Sequence, residues 1–472
     1  MTFMRSSSGG RRPGSPPSAP EPTSRPATAR RRAPRKGPAR ARPVPPVGEV
    51  RITAVGAEAD GLARHPDGSL LFVPRTLPGE LVRVRPLAPR GDGWLAEPLD
   101  LVEPSGERIA AGCRHFGTCG GCALQNWDAA GYLAWKRSLL VSALERAGYA
   151  HPPVAPVVAC GPAERRRMDL AVRRTPTGVR LGLHRMRAAD VVDLTECRVL
   201  QPMLAALLEP LRALCTGLQA LGREGAAIAN LLDSGPDLLL RTDGELTIGD
   251  RIALRRFASE QGIARISWAR GMDMLPETAC LLRPPVLTLS SVSLAPPPGA
   301  FLQATRTGEE AIVAAVLDAL PDRLPARARA AELYAGCGTL SFALAERVRV
   351  TAWEGNPAAV EALRSAANRS GLAGRIEARQ RDLLRQPLQR KEFAGFSAIV
   401  LDPPHEGAPA QITEIASSGV NSVIYVSCNP ASLARDAVAL RQAGYGLAKV
   451  QPIDQFLWSA RLESVARFVL RV

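Results

Sequence analysis

The sequence predicts a multi-domain α/β protein with an N-terminal OB-like β-barrel, a central α/β domain and a C-terminal domain built on a Rossmann-like, doubly wound sheet. A chain of 472 residues is long enough for two to four domains. Residues 48–105 hold short β-type runs at the roughly 8–12-residue spacing that is typical of a small barrel. From about residue 299 the pattern becomes strand–helix–strand, which indicates a parallel sheet covered by helices. The predicted divisions are a tail over 1–47, a barrel over 48–105, a central domain over 106–298 and a C-terminal domain over 299–472.

The tail is strongly basic. Residues 1–47 carry eleven Lys and Arg against the single acid Glu21, a net charge of +10, which leaves about +5 for the rest of the chain. The tail is rich in Pro, Ser, Ala and Gly and has almost nothing apolar to bury, so we expect it to be disordered. It either raises non-specific affinity for RNA phosphates or is an inert solvated extension. It has no apolar segment of the kind that a secretory signal needs.

Composition narrows the class of protein further. No apolar run approaches the roughly 18 residues that a membrane span requires. The nine cysteines are an odd number in a long chain without an export signal, which argues against a disulfide scaffold. We therefore expect a cytoplasmic monomer without a membrane partner, whose cysteines serve metal binding or catalysis.

The predicted barrel contains one surface of interest. Leu77-Pro78-Gly79-Glu80 is a turn between two strands, and the apolar/Arg alternation that follows puts Arg83 and Arg85 on one face. That face either meets RNA or is simply solvated. Beyond the barrel, residues 125–150 are predicted to form one amphipathic helix, and 151–295 mix strands and helices without a readable motif.

Four cysteines suggest a metal centre. Cys113, Cys119 and Cys122 form a C-x5-C-x2-C pattern in a glycine-rich loop, and Cys197 is the best candidate for a fourth ligand. Thiolates are soft ligands that suit zinc or an iron–sulfur cluster. A C-x2-C pair is typical of zinc, so spacing alone favours zinc.

A glycine turn follows the first strand of the C-terminal domain, between Tyr334 and Thr339. Such a turn between strand and helix lets a nucleotide-like cofactor approach the backbone. Glu354 ends the next predicted strand, where a carboxylate can accept hydrogen bonds from both hydroxyls of a ribose. The combination is typical of S-adenosylmethionine-dependent methyltransferases.

Three further side chains are predicted at the ends of strands of the same sheet. Asp402 precedes a rigid Pro-Pro turn, Cys428 ends an apolar run before Asn429-Pro430, and Glu463 lies near the end of the chain. Taken singly, Asp402 is equally a turn cap and Cys428 a packing residue. Together they supply what C5 methylation of a pyrimidine requires: a thiolate that adds to C6, a methyl donor, and a base that removes the C5 proton.

The sequence resembles the RNA uridine-C5 methyltransferases, in particular the branch that has an N-terminal TRAM domain and a [4Fe–4S] cluster and acts on 23S ribosomal RNA. The resemblance covers about residues 48–472. The motifs that carry it are the turn at 77–80, the four cysteines, Phe301-x-Gln303, the turn at 334–339, Asp402-Pro403-Pro404, Ser427-Cys428-Asn429-Pro430 and Leu462-Glu463-Ser464-Val465.

This resemblance implies a role for each matching residue. Cys428 corresponds to the nucleophile and Glu463 to the base. The positions that bind S-adenosylmethionine correspond to Gln303, Tyr334, Thr339, Glu354, Asp382 and Asp402. The cluster ligands correspond to Cys113, Cys119, Cys122 and Cys197, which changes the expected metal from zinc to [4Fe–4S]. The resemblance also implies that the helix near 125–150 packs with the methyltransferase domain.

The same resemblance leaves the substrate open between 23S rRNA, which the TRAM-like stretch and the cluster favour, and a tRNA uridine. A reading of another class is a non-catalytic RNA-binding protein on this scaffold. The joint presence of Cys428, Glu463 and Asp402 argues against it, because RNA binding alone requires none of them. Three positions differ from the usual family pattern: Arg461 replaces His, His405 replaces Arg, and Thr305 replaces Asn.

Overall fold

The computed structural model describes residues 43–321 and 323–471. Most of the predicted basic tail, residues 1–42, lies outside the described residues. The described chain begins with a closed five-stranded barrel, which confirms the small barrel predicted from the sequence. Its strands follow one another around the barrel in the order β1-β2-β3-β5-β4. They are β1 (Gly48–Val55), β2 (Asp60–Arg64), β3 (Leu70–Pro74), β4 (Leu81–Arg90) and β5 (Gly93–Glu103).

Alternating side chains fill the barrel. Val50, Ile52, Leu71 and Val84 point inward and are at most 3% exposed, while the residues between them face solvent. On the outer face, Arg83 forms an ion pair with Asp100, and the Arg85 guanidinium lies 3.6 Å from Glu97. The two arginines do share one face, as predicted. Because cross-strand acids accompany them, this face is not a concentrated positive surface.

A loop and a long helix connect the barrel to the rest of the chain. The helix α1 spans Ala129–Arg146, which is shorter than the predicted range of 125–150. It begins where Asp128 accepts a hydrogen bond from the Gly131 N–H at 2.7 Å, an N-cap that satisfies a free backbone donor. Leu140 and Leu144 are fully buried among residues of the C-terminal sheet and its helices. Tyr149, just past the helix, donates a hydrogen bond to the carbonyl of Ala437 at 3.1 Å.

The middle of the chain forms a six-stranded sheet with three helices. The strand order is β12-β11-β10-β9-β7-β8, and the sheet packs its apolar side chains on the helices in one cluster. The elements are β7 (Arg167–Thr175), β8 (Gly178–Gly182), α2 (Pro202–Ala205), α3 (Leu208–Gly217), β9 (Glu224–Leu232), β10 (Gly235–Thr242), α4 (Ile248–Glu260), β11 (Arg265–Arg270) and β12 (Glu277–Leu281). A separate hairpin of β13 (Leu287–Leu289) and β14 (Val292–Leu294) follows.

The C-terminal part of the chain forms an eight-stranded sheet in the order β17-β16-β15-β18-β19-β21-β20-β6. The short strand β6 (Val158–Ala159) joins it from earlier in the chain. The other elements are α5 (Arg306–Ala319), β15 (Arg329–Leu333), α6 (Thr339–Ala345), β16 (Arg349–Glu354), α7 (Pro357–Arg369), β17 (Ile376–Gln380), a 3-10 turn (Arg390–Phe393), β18 (Ala398–Leu401), α8 (Pro409–Ala416), β19 (Ser422–Ser427), α9 (Pro430–Gln442), β20 (Tyr445–Asp454) and β21 (Glu463–Leu470).

Both faces of this sheet are covered. Ala330, Val350 and Val400 belong to one core with α5, α6 and α7, whereas the alternate residues Leu333 and Ile399 belong to a second core with α1, α8 and α9. Strands buried on both faces read as continuous apolar runs, which is why the sequence shows them clearly.

The strand order creates a crevice at one edge of the sheet. The five strands β17, β16, β15, β18 and β19 are parallel, and the chain moves outward from β15 to β17 before it returns to β18 beside β15. A ligand crevice forms outside the carboxyl ends of parallel strands at such a reversal of strand order. The last strand, β21, runs antiparallel between β19 and β20.

Between residues 43 and 471, residue 322 aside, no helix is long and apolar enough to cross a membrane.

Candidate active site

The predicted functional residues lie at the carboxyl ends of neighbouring strands. Tyr334 follows β15, Glu354 is the last residue of β16, Asp402 follows β18 and Cys428 follows β19. Asp382 comes two residues after β17. Because these strands are parallel neighbours, their ends meet along one edge, in the crevice described above.

The turn after β15 has an unusual backbone. Tyr334 has a φ of 64°, a left-handed conformation that is costly for an aromatic residue and tends to persist where function requires it. Gly338, at the start of α6, has a φ of 101°, and a Cβ there would come within 2.5 Å of Leu363. At Gly336, with a φ of 56°, a Cβ would meet nothing within 4 Å. The turn therefore presents bare backbone to open space, which suits the close approach of a cofactor.

Glu354 is fixed by the backbone around it. Its two carboxylate oxygens accept hydrogen bonds from the N–H groups of Gly336 at 2.9 Å and of Asn356 at 2.7 Å. Each oxygen keeps a second lone pair for the hydroxyls of a ligand. Asp382 is exposed. It lies close to Glu354, because a Cβ added at the neighbouring Gly355 would be 3.7 Å from the Cα of Asp382. Its carboxylate accepts a bond from the Leu384 N–H at 3.1 Å.

Asp402 is half-buried at the edge of the sheet where the crevice lies. Burial raises the pKa of Asp402 to about 7, and a hydrogen bond from Gln303 opposes that rise. The bond joins Gln303 Nε2 to Asp402 Oδ2 at 3.3 Å. Gln303 lies 99 residues earlier in the chain and is 5% exposed. Two of the predicted cofactor residues are therefore in direct contact.

Cys428 and Glu463 come together at the end of the antiparallel pair β19–β21. The last paired residues are Ser427 and Ser464, so one further step in the same register puts Cys428 opposite Glu463. Cys428 is half-buried, and burial raises the pKa of its thiol to about 11. The carboxyl groups of Glu463 and Asp402 add to this rise, whereas the guanidinium of Arg461 lowers the pKa.

Glu463 is 3% exposed. Burial, together with the charge of Asp402, raises its pKa to about 8, although a hydrogen bond from Gln455 opposes the rise. Gln455 Nε2 donates to Glu463 Oε2 at 2.7 Å. Among the described residues the other oxygen, Oε1, has no hydrogen-bond partner although it is buried. A buried carboxylate oxygen without a donor is free to accept a proton from a bound molecule.

Two loops that carry these residues are held by specific contacts. Asn429 caps α9 through Ala431 N–H and donates from Nδ2 to the carbonyl of His405 at 3.1 Å, which joins the Cys428 loop to the Asp402 loop. On α9, Asp436 accepts bonds from the Ala408 N–H at 2.8 Å and from the Tyr425 hydroxyl at 2.7 Å.

The loop between β20 and β21 is held from the opposite side. The Ala123 N–H donates to the carbonyl of Trp458 at 2.7 Å, and the Trp458 N–H donates to the hydroxyl of Tyr132 at 2.8 Å. Lys136 on α1 is fully buried, pairs with Asp454 at 2.9 Å and donates to the carbonyl of Arg461. This loop leads directly into Glu463, so α1 and the cysteine loop both help to position the carboxylate.

The four cysteines of the predicted metal centre lie on two loops that run side by side. The His115 ring accepts a bond from the Thr195 N–H at 3.0 Å, and the Arg114 N–H donates to Glu196 at 2.7 Å. The four residues are half-buried and carry free thiols: Cys113, Cys119, Cys122 and Cys197. Burial raises the pKa of the Cys122 thiol to about 12, and the charges of the other three cysteines contribute to this rise. The four thiols therefore lie close to one another.

Nevertheless, within the described part of the chain no group of three or more His, Cys, Asp or Glu side chains is arranged to hold a metal ion. A single zinc ion would require all four sulfurs at about 2.3 Å from one centre. In a [4Fe–4S] cluster each thiolate binds a different iron, so the sulfurs stand further apart around a shared space. The described side chains are arranged for neither of these centres, so the predicted [4Fe–4S] cluster stays a prediction.

A cleft of about 640 Å³ adjoins this region. Its walls come from the cysteine loops, from the central sheet and from the loop between β20 and β21, and they include Cys197, Met168, Leu170, Phe456 and Arg461. Four arginines line it: Arg165, Arg185, Arg187 and Arg461. In the described chain Arg185 and Arg187 have acidic partners within 4 Å, whereas Arg165 and Arg461 have none. The cleft therefore combines an apolar floor with unneutralised positive charge.

Three residues of the site were not foreseen from the sequence. Gln455 and Lys136 belong to no motif, because their contacts join segments more than a hundred residues apart. Glu332, on β15, is 1% exposed, and burial raises its pKa to about 8 despite a hydrogen bond from Ser341. The presence of an acid inside the apolar strand Arg329–Leu333 was the one available indication.

Comparisons with known proteins define the class. The profile of the family described as tRNA (Uracil-5-)-methyltransferase matches residues 299–469. The 23S rRNA (uracil(1939)-C(5))-methyltransferase RlmD of Chromohalobacter salexigens is 34% identical over 425 residues, which cover 88% of each chain. An RNA methyltransferase of Brucella suis, described as uncharacterized, is 40% identical over 420 residues, 89% of this chain and 97% of the relative.

Among solved structures, the tRNA (uracil-54, C5)-methyltransferase of Pyrococcus abyssi, in complex with S-adenosyl-L-homocysteine, matches with a TM-score of 0.68 at 20% identity. It covers 90% of this chain and 100% of its own. At that identity the match shows the fold. The chain belongs to the RNA uracil-C5 methyltransferase family, a family of S-adenosylmethionine-dependent enzymes, which confirms the resemblance that the motifs indicated.

Proposed function

We propose that this protein methylates C5 of a uridine in RNA and that this RNA is 23S rRNA. Cys428 is the nucleophile and Glu463 is the base. The observation that carries the proposal is the position of Cys428 opposite Glu463 at the crevice of the sheet, with Asp402 beside them. A half-buried thiol, a half-buried carboxyl group and a buried one have no evident structural purpose at a ligand crevice, since burial disfavours their charged forms.

In the proposed reaction the Cys428 thiolate adds to C6 of a flipped-out uracil, and the C5=C6 π electrons move to give an enolate. C5 then forms a bond to the methyl carbon as the bond from that carbon to the sulfonium sulfur breaks. Glu463 removes the proton from C5, the C5=C6 double bond re-forms, and the bond from C6 to Sγ of Cys428 breaks to release the thiolate. Glu463 Oε1 is suited to that step because it is buried without a donor.

S-adenosylmethionine supplies the methyl group as an electrophilic carbon when it is bound in the crevice. The residues assigned to hold it are Gln303, Tyr334, Thr339, Glu354, Asp382 and Asp402. Glu354 is oriented by two backbone N–H groups so that its remaining lone pairs can accept ribose hydroxyls. The open space above Gly336 and the left-handed Tyr334 support the same location.

We assign Cys113, Cys119, Cys122 and Cys197 to a [4Fe–4S] cluster whose role is structural: it would join the two loops next to the cleft. The test is chemical analysis of protein purified without oxygen. We expect about four irons and four acid-labile sulfides per chain, their loss in Cys197→Ala, and their retention in Cys215→Ala, a buried cysteine on α3. Zinc in place of iron, or iron retained in Cys197→Ala, would refute the assignment.

The arginine-lined cleft is where we expect RNA to bind. Arg165 and Arg461 have no acidic partner within 4 Å in the described chain and can meet phosphates, while the apolar floor can receive a base. The barrel is assigned as a TRAM domain and the C-terminal sheet as a Rossmann-like methyltransferase domain, with the divisions at 105 and 298 predicted above.

The decisive experiment is methylation of unmodified RNA. Purified protein is incubated with S-adenosylmethionine and either 23S rRNA or tRNA from cells that lack the enzyme, and 5-methyluridine is mapped by mass spectrometry. We expect 5-methyluridine in 23S rRNA, no product with Cys428→Ala although RNA binding remains, and normal product with Cys215→Ala. Methylation of tRNA alone would identify the other substrate, and full activity of Cys428→Ala would refute the mechanism.

A further inference from the structure

Gln455 is a buried residue whose side chain contacts Glu463 directly. It follows β20, is 2% exposed, and its side-chain amide makes three hydrogen bonds. Its Oε1 accepts from the Ala304 N–H at 2.9 Å. Its Nε2 donates to Gln303 Oε1 at 2.8 Å and to Glu463 Oε2 at 2.7 Å. Both N–H groups and the carbonyl are therefore engaged.

These contacts allow only one orientation of the amide. If the amide turned over, its oxygen would face the oxygens of Gln303 and Glu463, and its NH₂ group would face the Ala304 N–H. Buried polar groups that meet like partners lose their hydrogen bonds, so that alternative is disfavoured. The backbone of Ala304 thus fixes which end of Gln455 points at the carboxylate.

The orientation of Gln455 in turn decides which oxygen of Glu463 is available. Oε2 is occupied by the Gln455 N–H, whereas Oε1 has no partner within the described chain. An amide N–H stabilises the ionised form of a carboxylate that it bonds to, and Gln455 does lower the pKa of Glu463 against the effect of burial.

The same amide connects Glu463 to the residues assigned to the cofactor. Gln303 accepts from Gln455 and donates to Asp402, so two amides link the carboxyl groups of Glu463 and Asp402, and the donated hydrogen bonds run outward from Gln455 to both. Each of these N–H groups points at a carboxylate or amide oxygen. A change in Asp402 or Gln303 when the crevice fills would therefore reach Glu463 through Gln455.

We propose that Gln455 is a positioning residue that holds the carboxylate of Glu463 with Oε1 directed at the substrate for removal of the C5 proton. This inference rests on the proposed function, because it assigns Gln455 to one step of that reaction. Among the charged or titratable groups packed around Glu463, Asp402 after β18 acts on its carboxyl group, Cys428 after β19 lies opposite it, Arg461 on its own loop acts on Cys428, and Lys136, paired with Asp454, holds the Arg461 carbonyl.

The test compares Gln455→Met, which keeps the length of the side chain but removes both donors, with a matched control. Gln411 on α8 is 1% exposed and bonds only the backbone of Leu388, so Gln411→Met removes a buried amide far from the two acids. Wild type and both variants are assayed as full-length protein with unmodified rRNA over a range of pH.

With Gln455→Met we expect turnover to fall about tenfold or more, since an ill-positioned base loses part of the effect of general base catalysis. A covalent protein–RNA adduct that survives denaturation should accumulate, because elimination is the slowed step, while KM for neither substrate should rise. The acid limb of the kcat profile should move to higher pH, because a carboxylate without its donor has a higher pKa.

Gln455→Glu should move the acid limb of the kcat profile to still higher pH, because it adds another carboxyl group beside Glu463 and Asp402. This variant provides a second measurement if Gln455→Met folds poorly. Gln411→Met should retain the wild-type pH profile and show no adduct. An unchanged pH profile and no adduct in either Gln455 variant would overturn the inference. If wild type itself formed no 5-methyluridine, the proposed function would fail instead, so the two failures are distinguishable.

Discussion

Cys428 and Glu463 lie opposite each other one residue beyond the last pair of the β19–β21 ladder, and the carboxyl group of Glu463 affects the protonation of the thiol. The carboxyl group of Glu463 is the nearest cause, after burial, of the raised pKa of the Cys428 thiol. At neutral pH these raised pKa values favour the neutral thiol and the protonated carboxyl group, so the ionised forms that the reaction needs become more populated as pH rises.

Replacement of the base should separate the two halves of the reaction. Glu463→Gln removes an acid whose ionised form raises the pKa of the Cys428 thiol, so addition to C6 remains possible. The C5 proton, however, has no acceptor, and the enzyme–RNA adduct should persist. Denaturing gel electrophoresis with labelled RNA measures it. Glu361→Gln, an exposed residue on α7, serves as control and should leave no adduct. Product release by Glu463→Gln at the wild-type rate would contradict the assignment.

The rate of addition should depend steeply on pH. Because the pKa of Cys428 is raised to about 11, the thiolate is a minor species at neutral pH, and its fraction grows about tenfold per pH unit below that value. Single-turnover adduct formation should therefore rise between pH 7 and 9. The guanidinium of Arg461 lowers this pKa, so Arg461→Ala should slow addition at a given pH, while Arg461→Lys keeps the charge. A rate independent of pH in this range would show that the thiol is not the group that titrates.

The buried carboxyl group of Glu332 should make the free energy of unfolding depend on pH. Burial raises its pKa to about 8 from an ordinary value of 4.5, so its stabilising contribution is fully present below pH 4.5 and is lost as pH rises through 8. Glu332→Gln cannot ionise. It should unfold at a higher temperature than wild type at pH 9, with a difference in free energy of the order of a few kcal/mol that vanishes near pH 5. Thermal unfolding monitored by fluorescence at several pH values measures this. Equal melting temperatures at pH 9 would mean that Glu332 ionises without cost.

Much of this site could be predicted from the sequence because its residues follow recognisable strands. Asp402 and Cys428 each close an apolar run with a turn, and parallel strands bring such ends together. The small barrel was predictable from strand spacing, although β2 (Asp60–Arg64) is hard to recognise in the sequence because its run Asp-Gly-Leu-Ala-Arg has no β-branched or aromatic residue.

The parts that were not predictable depend on contacts between distant segments. Gln455 donates a hydrogen bond to Gln303, 152 residues away, and Lys136 is paired with Asp454, 318 residues away. No local pattern encodes such pairs. The same applies to Arg83 and Arg85, whose positions on one strand were predictable but whose acidic partners Asp100 and Glu97 lie on another.

The most direct test of the central claim is to capture the nucleophile on the uracil ring. RNA that contains 5-fluorouridine allows addition and methyl transfer, but fluorine cannot leave C5 as a cation, so the adduct is not released. Protein incubated with this RNA and S-adenosylmethionine is digested and examined by mass spectrometry. We expect a methylated 5-fluorouridine nucleotide bonded to the peptide that contains Cys428. No adduct, or an adduct on another cysteine, would contradict the central claim.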